Sequence, residues 1–296
     1  MRMARAALAL ASMAAIGTAR NKDLQVTADA VWTPGTAVVE SIRKECAKGG
    51  GDCVIAKMGG SASPAAVAFT KSIGGEGWLR DFRKIGRVDI AYVEYPLRAG
   101  GGWGWLLANG SPSPVDVDNL QKLPKSEMAD NREWAQLIAQ HPQAALYPED
   151  RVGSTDPVAI VYADGSEEFV VGYAVRDGCA DCPLLGVAFL AFEFNAKGKL
   201  GPLEFRGFDA DVNAPHPIRL NAGRHFALAL RQTQGREWSI AQPPAKWIVR
   251  EAGQSVQGAT LFWTFDVVSN GTTPMTLAEG DQRLDLRIIA DPGLGH

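Results

Sequence analysis

Histidine is the usual proton carrier near neutral pH and a common metal ligand, and this chain has four: His141, His216, His225 and His296. None stands in an H-x-x-x-H or H-E-x-x-H spacing, which would set two ligands on one helix face. Ser61 and Ser63 lie in Gly59-Gly60-Ser61-Ala62-Ser63-Pro64, a turn where a nucleophile could precede a helix. The G-x-S-x-G elbow is absent, and Ser63 reads as the N-cap of a helix that Pro64 opens. Asp116 and Asp118 alternate on an extended segment, so both carboxylates share one side. They could hold a cation or work as a pair, yet exposed aspartates near a turn are more commonly solvated. Trp103 and Trp105, set among Gly100, Gly101, Gly102 and Gly104, suit either a ligand platform or a core strand. No constellation converges. The expected role is therefore noncatalytic, with no cofactor and no metal. The alternative is an extracytoplasmic, hydrolase-like enzyme led by Ser61 or the aspartate pair.

The cysteines fall in two close pairs, Cys46 with Cys53 and Cys179 with Cys182. In an exported chain an even count favours disulfides, and proximity favours the two local bridges. The C-x-x-C of Cys179–Cys182 also has zinc-knuckle spacing, so a four-cysteine zinc site is the rival reading. A redox C-x-x-C sits at a helix N-terminus. Here the following segment, Leu184 to Phe194, reads as a strand, so the pair looks like a staple at a hairpin tip.

Export is itself read from the first residues. Arg2 and Arg5 precede the apolar stretch Ala6 to Ile16, and Gly17-Thr18-Ala19 closes it with small residues, the order of a cleavable signal peptide. The apolar stretch is shorter than the roughly 20 residues a membrane-spanning helix needs. Cleavage after Ala19 leaves 277 residues, with 28 basic against 33 acidic side chains. A mildly acidic chain without Lys/Arg blocks is a poor partner for nucleic acid. No second apolar segment is long enough for a transmembrane helix, and a periplasmic or secreted location follows.

Two kinds of sequence must position these residues. Over 34–141 helical and strand signals mix. Val38, Val39, Ile42 and Cys46 share a helical face that Gly49-Gly50-Gly51 stops. Trp78, Leu79, Phe82 and Ile85 predict a helix ending at Gly86, and Val88, Ile90 and Tyr92 a half-buried strand. Asp130-Asn131-Arg132-Glu133 predicts a capping box for a helix that Pro142 closes. From 156 onward come strand runs at Val158 to Tyr162, Phe169 to Val175, Leu184 to Phe194 and Leu203 to Phe208, an antiparallel meander. Helices and meander together predict an α+β domain over 20–210, with Asp211 to Pro217 as a linker. Over 218–296 the alternation of Phe226, Leu228 and Leu230, of Leu261, Trp263, Phe265 and Val267, and of Leu284, Leu286 and Ile288 predicts an all-β sandwich.

This last stretch resembles the chagasin-type cysteine-protease inhibitors, an immunoglobulin-like family. Gly223, Phe226 and Leu230 stand in the register of its first strand. Thr233, Gly235 and Trp238 match its first inhibitory loop, N-P-T-T-G-Y with a tryptophan beyond, although Arg231-Gln232 replaces the Asn-Pro. Gly258-Ala259 stands where the second loop carries Gly-Gly, and Val268 to Thr272 resembles the V-x-x-G-T turn. The third loop departs: in place of an R-P-W tip the chain has Ala278-Glu279-Gly280-Asp281. The resemblance implies loops wedged into a papain-like protease cleft, with Thr233, Gln234, Gly235, Gly258, Ala259 and Glu279 as inhibitory-loop residues. Another extracytoplasmic protein is the alternative partner.

Overall fold

In the computed structural model, residues 24–98, 102–119, 123, 125–147 and 156–292 are described. The expected signal peptide, 1–19, lies outside them.

After a single 3-10 turn at Ala28–Ala30 come three helices, α1 (Thr36–Glu45), α2 (Gly50–Met58) and α3 (Pro64–Ser72). Strands β1 (Trp78–Arg83), β2 (Asp89–Tyr95), β3 (Gly102–Ala108) and β4 (Val115–Asp116) precede α4 (Lys125–Asp130) and α5 (Arg132–Gln140). The rest is strand: β5 (Ala144–Tyr147), β6 (Val158–Tyr162), β7 (Glu167–Asp177), β8 (Leu184–Phe194), β9 (Leu200–Asp209), β10 (His216–Asn221) and β11 (His225–Arg231). Then follow β12 (Ser239–Gln242), β13 (Val249–Gln257), β14 (Thr260–Val267), β15 (Gly271–Glu279) and β16 (Gln282–Asp291).

These strands build three sheets, with orders β1-β2-β3-β4, β10-β16-β15-β12 and β13-β14-β11-β6-β7-β8-β9, the last with β5 added beside β7. Every pairing in them is antiparallel except β10 with β16. The long sheet lies in the middle. On one face Val170, Phe189, Leu228 and Trp263 pack with Ile218, Met275 and Leu286 of the second sheet. On the other, Phe169, Tyr173, Leu190 and Phe262 pack with Ile90, Trp105 and Leu107 of the first. Strands buried on both faces read as continuous apolar runs, which is why β8 shows no alternation. Helices α1 to α3 close the far side of the first sheet through Phe69, Leu79, Val93, Val54 and Trp78.

Three expectations change. The segment 78–85 is not a helix: Trp78–Arg83 forms β1. A bulge between Leu79 and Asp81 sets Leu79 opposite Val93 and Phe82 opposite Ala91, on one face. Two apolar residues three apart thus share a side, and a bulged strand imitates helical spacing. The cap of α5 is one residue later than expected, since Asn131 accepts from the Trp134 N–H at 2.9 Å. Lastly, 211–217 joins β9 of the long sheet to β10 of the second but does not part the chain into two separate sheet systems. His216 and Pro217 already belong to β10, and β11 pairs with β6 on one side and β14 on the other. Ala227 and Ala229 are the small residues that let this strand press against the first sheet.

Both local disulfides are present, Cys46–Cys53 and Cys179–Cys182. Cys46 is fully buried beside Ile42 and Met58, whereas Cys179 is exposed at the β7–β8 tip. A disulfide yields to an attacking thiolate only where the thiolate can reach it. Mild reductant with isotope-coded alkylation should therefore label Cys179 and Cys182 in the folded protein, leaving Cys46 and Cys53 protected until denaturant is added. Simultaneous labelling of all four would contradict this packing.

One polar cluster is built on β7, β8 and β9 of the long sheet. Arg206, with 8% of its side chain exposed, pairs with Glu168 at 2.9 Å, Glu193 at 2.5 Å and Glu204 at 2.7 Å. Glu168 is almost wholly buried and also accepts from the Tyr162 hydroxyl.

Candidate functional site

Three connections meet at one end of the sandwich formed by the second and long sheets. The first is the β11–β12 loop, 232–238. The other two are two-residue hairpins. Gln257 pairs with Thr260 around Gly258-Ala259, and Glu279 with Gln282 around Gly280-Asp281. Gly258 and Gly280 have φ of 61° and 58°, the left-handed backbone such tight hairpins demand and glycine supplies freely.

Glu279 ties the group together. Its side chain is fully buried, and its two oxygens accept from the Thr233 N–H at 3.0 Å and the Thr233 hydroxyl at 2.8 Å. The Gln232 N–H donates to the Ala259 carbonyl at 2.9 Å, and the Arg236 N–H to the Thr233 carbonyl at 3.1 Å. Trp238 anchors the far end of the loop, its indole N–H donating to the Arg231 carbonyl at 2.7 Å. Gln234, Gly235, Arg236, Gly258, Ala259 and Gly280 are left exposed as tips. The six residues expected in the inhibitory loops therefore lie together, but Glu279 is a brace beneath the surface and offers a partner nothing.

The loop bases also lean on the N-terminal part. Arg231 forms an ion pair with Asp81 of β1, and the Thr260 hydroxyl donates to the Lys84 carbonyl at 2.8 Å. Beside this contact opens a cleft of about 660 Å³, whose walls include Arg83, Asp156, His216, Arg231, Trp238 and Asp281. Arg83 is buried; its guanidinium reaches the Pro157 carbonyl at 3.3 Å and Asp156 only at 3.9 Å. Burial pulls its pKa down to about 10, with Asp156 acting the other way. Burial likewise lowers His216 to about 4, against a hydrogen bond to the Asp285 backbone. Arg83 Nε and His216 Nε2 are buried and have no partner among the described residues. Sequence reasoning missed this cleft because its walls come from segments more than a hundred residues apart, and His216 read as linker.

The residues considered for catalysis do not meet there. The Ser61 hydroxyl donates to the Met58 carbonyl at 3.4 Å, finishing the end of α2. Ser63 caps α3, accepting from the Ala66 N–H at 3.0 Å. Asp116 accepts from the Asp118 N–H at 2.9 Å, a local turn of aspartate onto its own backbone. Among the described residues no group of three or more His, Cys, Asp or Glu is placed to hold a metal ion. Trp105 is core, and Trp103 lies half-exposed at its edge, with Tyr92 5.4 Å away. Among the described residues no helix is long and apolar enough to cross a membrane.

No family model matches the chain, and no curated protein does. Among solved structures, a crystal structure of the S-layer protein rSbsC(31-844) is similar at 8% identity and a TM-score of 0.19. That match covers 64% of this chain, which spans about a quarter (23%) of the other. A likeness so slight carries no argument about fold or function.

Proposed function

We propose that this is an exported, noncatalytic protein-binding protein that engages its partner with the three-loop end of an immunoglobulin-like sandwich. The partner class to test first is a papain-like cysteine protease. One observation carries the reading: the buried Glu279 carboxylate holds Thr233 by two hydrogen bonds, so the loop is fixed before any partner arrives. Pre-organised loops lose little entropy on docking, which is how glycine-rich tips reach useful affinity. The two disulfides fit an oxidising compartment. The two-residue hairpin at Gly280-Asp281 provides no projecting aromatic, so binding rests on the first and second loops.

The test is titration of the full disulfide-bonded chain against papain. Inhibition is expected below about 10 μM, an affinity near −7 kcal/mol. Glu279→Ala, which leaves the Thr233 N–H unsatisfied, should weaken inhibition by about tenfold or more while changing no tip residue. No inhibition by the unaltered chain would remove the protease assignment. Equal inhibition by Glu279→Ala would remove the pre-organised loop.

A further inference from the structure

Two residues that line the cleft beside the loops, Arg83 and His216, each keep one buried side-chain atom with no partner among the described residues. Arg83 Nε can only donate. His216 keeps its ring neutral, and with the ring bonded to the Asp285 backbone, the unpartnered Nε2 presents an acceptor lone pair. Buried polar groups without partners are rare enough to call for an occupant, whether water or ligand.

The walls say which occupant fits. Their charges balance: Arg83, Arg231 and Arg283 stand against Asp156, Asp281 and Asp285, with Arg283 and Asp285 paired at 2.9 Å. A carboxylate or phosphate would gain nothing from such a wall and would meet Asp281 and Asp156. An ammonium could not accept from Arg83. A hydroxyl does both jobs, since it accepts through its lone pairs and donates through its proton. Trp238 contributes the apolar part. It is half-buried, packed against the core and pinned through its indole N–H, so its ring is a fixed wall. A cleft of about 660 Å³ is the size of an ordinary small-molecule site, in the range of about 300–1,000 Å³.

We propose that this cleft binds a neutral saccharide, with Arg83 Nε donating to its hydroxyls, His216 Nε2 accepting from them, and Trp238 forming the wall. The proposal goes beyond protein binding and does not rest on it. A failure against papain leaves it untouched.

The experiment uses the full disulfide-bonded chain and four neutral probes: maltotriose, cellotriose, chitotriose and mannotriose. Each is titrated calorimetrically, and the imidazole ¹⁵N shifts of His216 are followed by NMR. At least one probe should bind saturably in the millimolar range or tighter and move the His216 Nε2 resonance. Arg83→Gln and Trp238→Leu should each weaken that binding by about tenfold or more. Trp247→Ala, at a fully separate exposed tryptophan, should leave it unchanged. Should either cleft variant fail to fold, the His216 resonance of the unaltered protein decides alone. Four flat titrations with a static His216 resonance would mean the cleft holds water only and would overturn the proposal. Tighter binding of a glucuronate oligomer than of any neutral probe would overturn its neutral character.

Discussion

Arg206→Ala should lower the stability of this protein by about 3–5 kcal/mol, the usual result of removing one partner from a buried ion pair. The loss arises mainly at Glu168, which is 1% exposed and cannot regain water when its guanidinium goes. The three carboxylates are not equal in this. Glu193 and Glu204 are about two-fifths exposed, so each can turn into solvent, and either one mutated alone should cost under about 1 kcal/mol. A second change separates the causes. Glu168→Gln keeps an acceptor for the Tyr162 hydroxyl while removing the stranded charge, so Arg206→Ala with Glu168→Gln should recover most of the loss. Urea unfolding of the single and double variants reads this directly, because their free energies do not add when the groups act as one unit. A loss below about 1 kcal/mol for Arg206→Ala would show that the cluster is wetter than its burial implies.

Stability should also fall as pH drops from about 6.5 to about 4, and His216 should cause a separable part of the fall. In the native state burial keeps the ring unprotonated to about pH 4, while the unfolded ring takes up its proton near 6.5. Between those values the unfolded chain binds more protons, so acid favours unfolding. The lost stability approaches about 3 kcal/mol at the acid end and is fully present above 6.5. Asp285 is the charged group facing the ring. Burial raises its pKa, but hydrogen bonds from Arg283 and Thr276 hold it below the ordinary range, so it stays ionised through most of the window. The measurement is the difference between the unaltered chain and His216→Gln in urea at pH 7, 6, 5 and 4.5, which cancels the other titrating groups. Parallel curves would refute the assignment.

How far the amino-acid order foretold this architecture depends on the residue. Leu184 to Phe194 and Phe226 to Leu230 announced their strands through runs and alternation, and Ser63-Pro64 announced α3. The bulge in β1 defeated periodicity, because one inserted residue turns a period of two into a spacing of three. Strand β13 was invisible for another reason. It lies at the edge of the long sheet, eight of its nine residues are not buried, and nothing apolar alternates along it. The loop residues Thr233 and Gly235 were singled out through the family resemblance alone, by their match to its first loop. The Glu279 brace and the His216–Arg83 cleft were not legible, since partners 46 residues apart or more leave no local pattern.

The pairing of β11 between β6 and β14 has a consequence for how the molecule is made. A chain emerging from its N-terminus completes β6 to β9 while the neighbour of β6 is still unsynthesised. Until residue 231 has followed, one edge of that growing sheet carries bare N–H and C=O groups and an apolar flank, the combination that recruits the wrong strand from another molecule. The last third of the chain is therefore the natural end-cap of everything before it. Truncation upstream of β11 yields a sticky fragment, and the whole chain has to be made before the first half can settle.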